Sequence, residues 1–226
     1  MNCEIYRKKH YVSNGNISAK ASMYINQIRK IINIFLRMRA KHISCTVLSS
    51  DCLGGVILHN LGKKFNSPTV NLWFEPYDFI KFVCNLKTYA HEKLIEAYNN
   101  DCSYPVGILG DIKIYFQHYS SFDDAKTAWD RRVARIQYNN IYVMMDDHGT
   151  SNREDKEELI KAFNTIPYRN KVFFTNYDFG IKYSNVFYIK GFENEPCCGN
   201  LMYFQNRFGV KYYDQYDYIK WMKGKC

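Results

Sequence analysis

The sequence predicts an α/β protein with a three-layer build: a mixed, mostly parallel sheet with helices on both faces. Three observations carry this. Apolar, β-branched runs alternate along the chain with runs of helical period, the pattern of strand–helix–strand crossovers. The stretch Ser50-Asp51-Cys52-Leu53-Gly54-Gly55 is a small-residue turn between a strand-like and a helix-like run. Gly110-Asp111 separates two alternating runs and signals one hairpin, which brings an antiparallel pair to the sheet.

Residues 17–40 read as a helix because Ile17, Ala21, Ile25, Ile28, Ile32 and Phe35 step by three or four, with Lys20, Arg29, Lys30, Arg37 and Arg39 mostly between them. Asn16 or Ser18 is placed to cap its start. Residues 43–49 form a strand, the run after Gly55 a helix that Gly62 ends, and residues 69–75 a second strand. Residues 77–98 hold one or two helices, with Phe79, Phe82, Val83 and Leu86 on one side. The hairpin follows Pro105. Ser121 and Asp124, in capping-box spacing, open a helix to about Ile136. The run NIYVMM is a strand ending in Asp146-Asp147-His148-Gly149, residues 154–163 a helix, KVFFTN and NVFYIKG two strands, and residues 216–223 a closing helix. The expected division is a basic arm over 1–42 and an α/β domain over 43–226, built as one unit or as two lobes meeting near 137–140.

Composition narrows the function classes. A chain of 226 residues, 46% hydrophobic and 23% charged, can bury a core and is not dominated by disorder. Aromatics reach 17%, with 20 Tyr, rings that either fill strands or stack on sugars. The eight Cys include no C-x-x-C pair and match no zinc spacing. The first residues are polar, so reduced thiols in a cytoplasm are expected, and no apolar run is long enough to span a bilayer. Net charge is +9, and residues 1–50 hold nine Lys/Arg against a single acid, Glu4. The basic surface is therefore the arm, which either contacts an anionic membrane peripherally through residues 17–40 or docks with a solvated basic face. Nucleic acid is not expected as a partner: the charge is confined to one helix and no recognised motif follows.

Five places could carry chemistry. Asp51, Gly54 and Gly55 lie where backbone N–H groups at a helix start can meet an anion, or where a turn packs tightly. Asp146, Asp147 and His148 follow a strand, where ligands of open α/β sheets bind; an acid there is a general base, a Mg²⁺ or Mn²⁺ ligand, or a cap. Arg132 falls at the edge of the stripe formed by Ala125, Trp129, Val133 and Ile136, and needs an anionic partner, carboxylate or phosphate; Arg131 and Arg135 point away. Asp111 and His118 share the hairpin. Glu193 lies in an acidic loop after a strand, suited to sugar hydroxyls or to solvent.

The blocks SDCLGGVILHNLGKKFNSPTVNLWFEPYDFIKFVCNL, YPVGILGDIKIYFQHYSSFDDAKTAWDRRVARI, NKVFF, YIKGFEN and YYDQYDYIKWM resemble, in order, the bacterial domain-of-unknown-function family DUF1919 from Ile43 to Met222. Its turn reads Asn-Cys-x-Gly-Gly; Asp51 departs from it. Gly54, Gly55, Ser67, Pro68, His118, Trp129, Arg131, Arg132 and Asp147 fall at family-like positions, and His148 stands where an Arg is usual. The resemblance implies a role in exopolysaccharide or capsule biosynthesis, some relatives being proposed galactofuranosyltransferases. The expected function is transfer of a sugar from a nucleotide-sugar donor to a lipid-linked saccharide acceptor. Asp147 is the expected base with His118 in reserve, and the donor is held by Asp51, Gly54, Gly55, Arg131, Arg132 and Glu193. The rival is a non-catalytic saccharide-binding or partner-binding protein of the assembly machinery.

Overall fold

The computed structural model describes residues 19–98 and 102–224. The caps expected at Asn16 or Ser18, and Ile17, lie outside the described residues. The elements are α1 Ala19–Arg39, β1 Thr46–Ser49, α2 Leu53–Asn60, α3 Pro76–Cys84, α4 Leu86–His91, β2 Leu94–Glu96, β3 Val106–Leu109, β4 Ile112–Tyr115, α5 Phe122–Val133, β5 Ile141–Asp146, α6 Arg153–Asn164, β6 Lys171–Thr175, β7 Val186–Tyr188 and α7 Tyr218–Trp221, with 3-10 turns at Gly180–Lys182 and Tyr212–Gln215.

The fold is mixed α/β. Four parallel strands run in the order β1-β5-β6-β7, and β2-β3-β4 form a small antiparallel sheet. The two kinds of pairing segregate, so the hairpin builds its own sheet. Its turn is tight because Gly110 adopts φ +60, open to glycine at little cost.

All four residues of β1 and all six of β5 are buried, as strands covered on both faces must be. Alternation along the strands sends side chains into two hydrophobic clusters. Leu48, Val143, Met145 and Phe173 pack with Phe79 and Phe82 of α3, Trp129 of α5 and Phe163 of α6. Val47, Tyr142, Met144, Val172 and Phe174 pack with Ile57 and Leu58 of α2 and with Tyr213, Ile219 and Trp221 near the C-terminal end. Trp129 sits at 2% exposure between Phe82 and Phe116, with ring centroids at 5.8 and 6.4 Å.

Local signals act where expected. The Ser121 hydroxyl accepts from the Asp124 N–H at 3.2 Å and starts α5, and the Asn152 side chain accepts from the Asp155 N–H at 2.9 Å and starts α6.

Three readings change. The strand expected over 69–75 is not a strand. Asn71 takes φ +64, which breaks the pleat, and only Trp73 bridges to Tyr115. The segment still runs beside β1, through Phe74 N–H to Ser50 O at 2.9 Å and Ser49 N–H to Thr69 Oγ1 at 3.0 Å. Residues 94–96, expected to be helical, form the edge strand β2, too short to show a period. In α1 the stripe is rotated: Ile25 is buried and Ile28 and Ile32 half-buried, but Phe35 is exposed and Arg29 is buried.

Candidate functional site

Helix α2, after β1, joins one hydrophobic cluster, and helix α6, after β5, joins the other. The connections leaving neighbouring parallel strands therefore diverge to opposite faces of the sheet. Such a divergence opens a crevice beyond the carboxyl ends of the two strands, where ligands of open α/β sheets bind. A crevice is present there. Ser50 and Asp51 line it from the end of β1, Met145, Asp146, His148 and Gly149 from the end of β5, and Trp73, Phe74, Glu75 and Pro76 from the segment beside β1.

Its chemistry is acidic, aromatic and imidazole-bearing. His148 Nδ1 lies 2.6 Å from Asp146 Oδ1, and the same oxygen receives the His148 backbone N–H at 3.3 Å. Asp146 is buried; His148 is about one-third exposed. A buried carboxylate beside one ring nitrogen favours the proton on that nitrogen. Asp51 is anchored at the start of α2, where Oδ1 accepts from Leu53 N–H at 2.9 Å and Ser49 Oγ at 3.2 Å. The Glu75 carboxyl is held above the usual carboxylate range, first by desolvation and then by the Asp78 charge. Trp73 forms an aromatic wall, stacked on Tyr115 at 4.0 Å.

Asp147 does not face this crevice. It is 0% exposed. Its Oδ2 accepts from Thr175 Oγ1 at 2.8 Å and Asn176 N–H at 3.2 Å, with Lys156 Nζ at 3.6 Å, and its Oδ1 accepts from Cys198 N–H at 2.7 Å. The side chain thus ties the ends of β5 and β6 to the loop at 196–198. At the end of the pleated strand β5 consecutive side chains diverge, so Asp146 lines the crevice while its neighbour turns inward.

The expected donor-binding residues scatter. Arg132 is buried, but its NH1 donates to Val70 O at 2.8 Å and Tyr119 Oη at 2.7 Å, with the guanidinium over the Phe65 ring. Its partners are a carbonyl and a phenol, and they fasten α5 to the segment beside β1. Arg131 is exposed on the outer side of α5. Gly54 and Gly55 let α2 pack closely: a Cβ on Gly54 would lie 2.8 Å from Ser49 Cβ, and one on Gly55 3.0 Å from Val70 Cγ1. Their backbone is therefore covered by protein. Glu193 is exposed and closes its own loop, accepting from Gly191 N–H at 2.8 Å and Tyr188 Oη at 3.0 Å. Of the expected donor set, Asp51 alone lines the crevice.

Asp111 and His118 do not meet. Asp111 pairs with Lys81 and accepts from Tyr89 Oη at 2.6 Å, contacts that hold its carboxyl low. His118 Nε2 lies 3.2 Å from Cys52 Sγ, one residue from Asp51 at the start of α2. This thiol–imidazole contact joins two segments far apart in sequence, and no sequence spacing announces it. Burial pushes the Cys45 and Cys197 thiols up to about 12, with the Asp147 charge adding to the effect at Cys197. Among the described residues no three His, Cys, Asp or Glu side chains converge to hold a metal ion. Sequence reasoning missed Trp73, Phe74, Glu75 and Pro76 as crevice walls; the one signal was Pro76 at the first position of α3, which fixes that loop's end.

The chain matches the family described as Domain of unknown function (DUF1919) over residues 23–223. An uncharacterized protein of Haemophilus influenzae is 38% identical over 193 residues, 85% of this chain and 91% of that protein. The chain belongs to the DUF1919 family.

Proposed function

We propose that this DUF1919 protein is a glycosyltransferase of exopolysaccharide or capsule assembly that works in the crevice between the ends of β1 and β5, with His148 as its general base. The observation that carries the reading is the 2.6 Å contact between Asp146 and His148 in the wall of that crevice. The Asp146 carboxylate charge beside Nδ1 favours the proton on that nitrogen, which leaves Nε2 its lone pair, the tautomer that can accept a proton.

In the step the acceptor hydroxyl oxygen attacks the anomeric carbon of the donor sugar. The bond from that carbon to the donor phosphate oxygen breaks, the nucleoside diphosphate leaves with the electron pair, and the acceptor proton passes to His148 Nε2. Asp51 and Glu75 supply carboxylate oxygens for sugar hydroxyls, and Trp73 and Phe74 supply an apolar wall for a ring face. The donor is a nucleotide sugar and the acceptor a lipid-linked saccharide. A thermal-shift panel of nucleotide sugars and free saccharides, with and without Mg²⁺ or Mn²⁺, tests the site. A ligand at a hundredfold excess over its Kd stabilises by about 2.7 kcal/mol. The expected result is a shift with at least one sugar ligand that shrinks in Glu75→Gln. No shift with any of them would remove the reading.

A second reading, a non-catalytic saccharide-binding protein, is favoured by one observation. Among the described residues no Lys or Arg lines the crevice, so none of these stands ready for a diphosphate. Saccharide binding without turnover of any donor would select it.

A further inference from the structure

Helix α1 presents a second apolar face, directed away from the domain. Met23, Tyr24, Ile31, Ile34, Phe35 and Met38 are each more than half exposed. They are six of the twelve exposed large hydrophobics among the described residues, so half of that surface lies on one helix. At 100° per residue the six fall within an arc of about 120°. Ile25, Arg29, Leu36 and Ala40, which are buried or packed on the core, fall on the opposite side.

The helix is held in place, so this stripe does not turn inward. Arg29 is buried, pairs with Asp214, and donates to Tyr213 Oη at 2.7 Å and Gly209 O at 3.3 Å. Further along, Asn33 Nδ2 donates to Asn60 Oδ1 at 3.2 Å, and Arg39 pairs with Asp217 at 2.9 Å. The exposed Gln27 falls within the arc; Lys30 and Arg37 flank the stripe on one edge and Arg39, paired with Asp217, on the other, and the sequence of α1 contains no acid.

We infer that α1 is a membrane-interface helix which lays this stripe into the headgroup region of an anionic bilayer. The charge selects the occupant. An apolar arc rimmed by cations complements an anionic lipid surface, whereas a second copy would bring two acid-free basic helices face to face against their own repulsion. The helix is too polar to cross a bilayer: no helix among the described residues is long and apolar enough to do so. It would lie in the plane of the surface, with the rest of the domain on its aqueous side. The inference does not rest on what the crevice binds.

Vesicle flotation tests it with the full chain, using phosphatidylcholine vesicles with and without phosphatidylglycerol, at low and high salt. The expected result is flotation with the anionic vesicles, little with the neutral ones, and weakening as salt rises. The double variant Ile31→Asp/Phe35→Asp should partition about tenfold less or worse, with an unchanged melting temperature because both side chains are already in water. No flotation with anionic vesicles, or equal flotation of the double variant, would overturn the inference. So would a dimeric mass by light scattering that the same double variant reduces to a monomer, which assigns the stripe to a second copy.

Discussion

The Thr175 hydroxyl at the end of β6 donates to the Asp147 carboxylate just past the end of β5, at 2.8 Å. Around this contact the Asn176 and Cys198 N–H groups and the Lys156 ammonium complete a buried polar cluster. Lys156 Nζ is held in turn by Thr150 Oγ1 at 3.0 Å and by the Pro196 carbonyl. A charge taken this far from water is tolerated only when every lone pair has a partner. The cluster sets the loop that turns the next residue, His148, onto Asp146.

Replacing Asp147 by Asn therefore tests stability. The amide keeps the shape, but it removes the charge facing Lys156 and turns a donor toward groups that are themselves donors. Breaking a buried pair from one side costs about 3–5 kcal/mol. Urea unfolding should show a loss of that size, and a stability within about 0.5 kcal/mol of the parent would contradict the structural role.

Arg132→Ala removes two bonds, to Val70 O and Tyr119 Oη, and should cost about 1.5–3 kcal/mol. Arg131→Ala, on the exposed side of the same helix, should stay within about 0.5 kcal/mol. The folded Arg132 variant should keep the parent's affinity for any sugar ligand. A selective loss of nucleotide-sugar affinity without loss of stability would return Arg132 to the donor site.

Glu75 gives a pH signature. Its carboxyl is held above the ordinary range in the folded protein, by desolvation and then by Asp78, so its charged form is disfavoured there. The contribution of such a group is fully present below the unfolded pKa and is lost as pH rises through the folded pKa. Glu75→Gln should thus stabilise the protein at neutral pH relative to the parent, with the difference shrinking as pH falls below the ordinary Glu range. Melting curves across that window read it directly. A difference that grows toward low pH would reverse the sign.

The Cys52–His118 contact sets Cys52, itself a buried thiol, apart from Cys45 and Cys197. In iodoacetamide alkylation the sulfur attacks the methylene carbon, iodide leaves, and His118 Nε2 takes the thiol proton. Peptide-resolved labelling of the native protein should show Cys52 reacting faster than Cys45 or Cys197, whose thiols burial pushes up to about 12. His118→Ala should slow Cys52 alone. Equal labelling of Cys52 in parent and variant would show that the 3.2 Å contact carries no proton.

Much of the fold was legible because its signals are local. The Ser121 cap, the Gly110-Asp111 turn and the apolar runs of β5 and β6 each act within a few residues. The site was legible only to its neighbourhood. The sequence singles out Asp146-Asp147-His148, but which of two adjacent acids turns inward depends on Thr175 and Cys198, far away along the chain. Arg132 at the edge of an apolar stripe did signal burial, yet its partners, a carbonyl and a phenol, carry no charge pattern to read. The two faces of α1 were confounded for the same reason: Arg29 reads as solvent-facing until Asp214 and Tyr213 are brought beside it.

The most direct measurement is nucleoside diphosphate release from a panel of nucleotide sugars with a lipid-linked saccharide acceptor, by the parent and by His148→Ala. The parent should release product with one donor. The variant should still bind that donor and lose turnover by about 10²–10⁴-fold, the usual worth of a general base. Turnover by His148→Ala at the parent's rate, or no release by the parent with any donor, would contradict a transferase that takes its acceptor proton on His148.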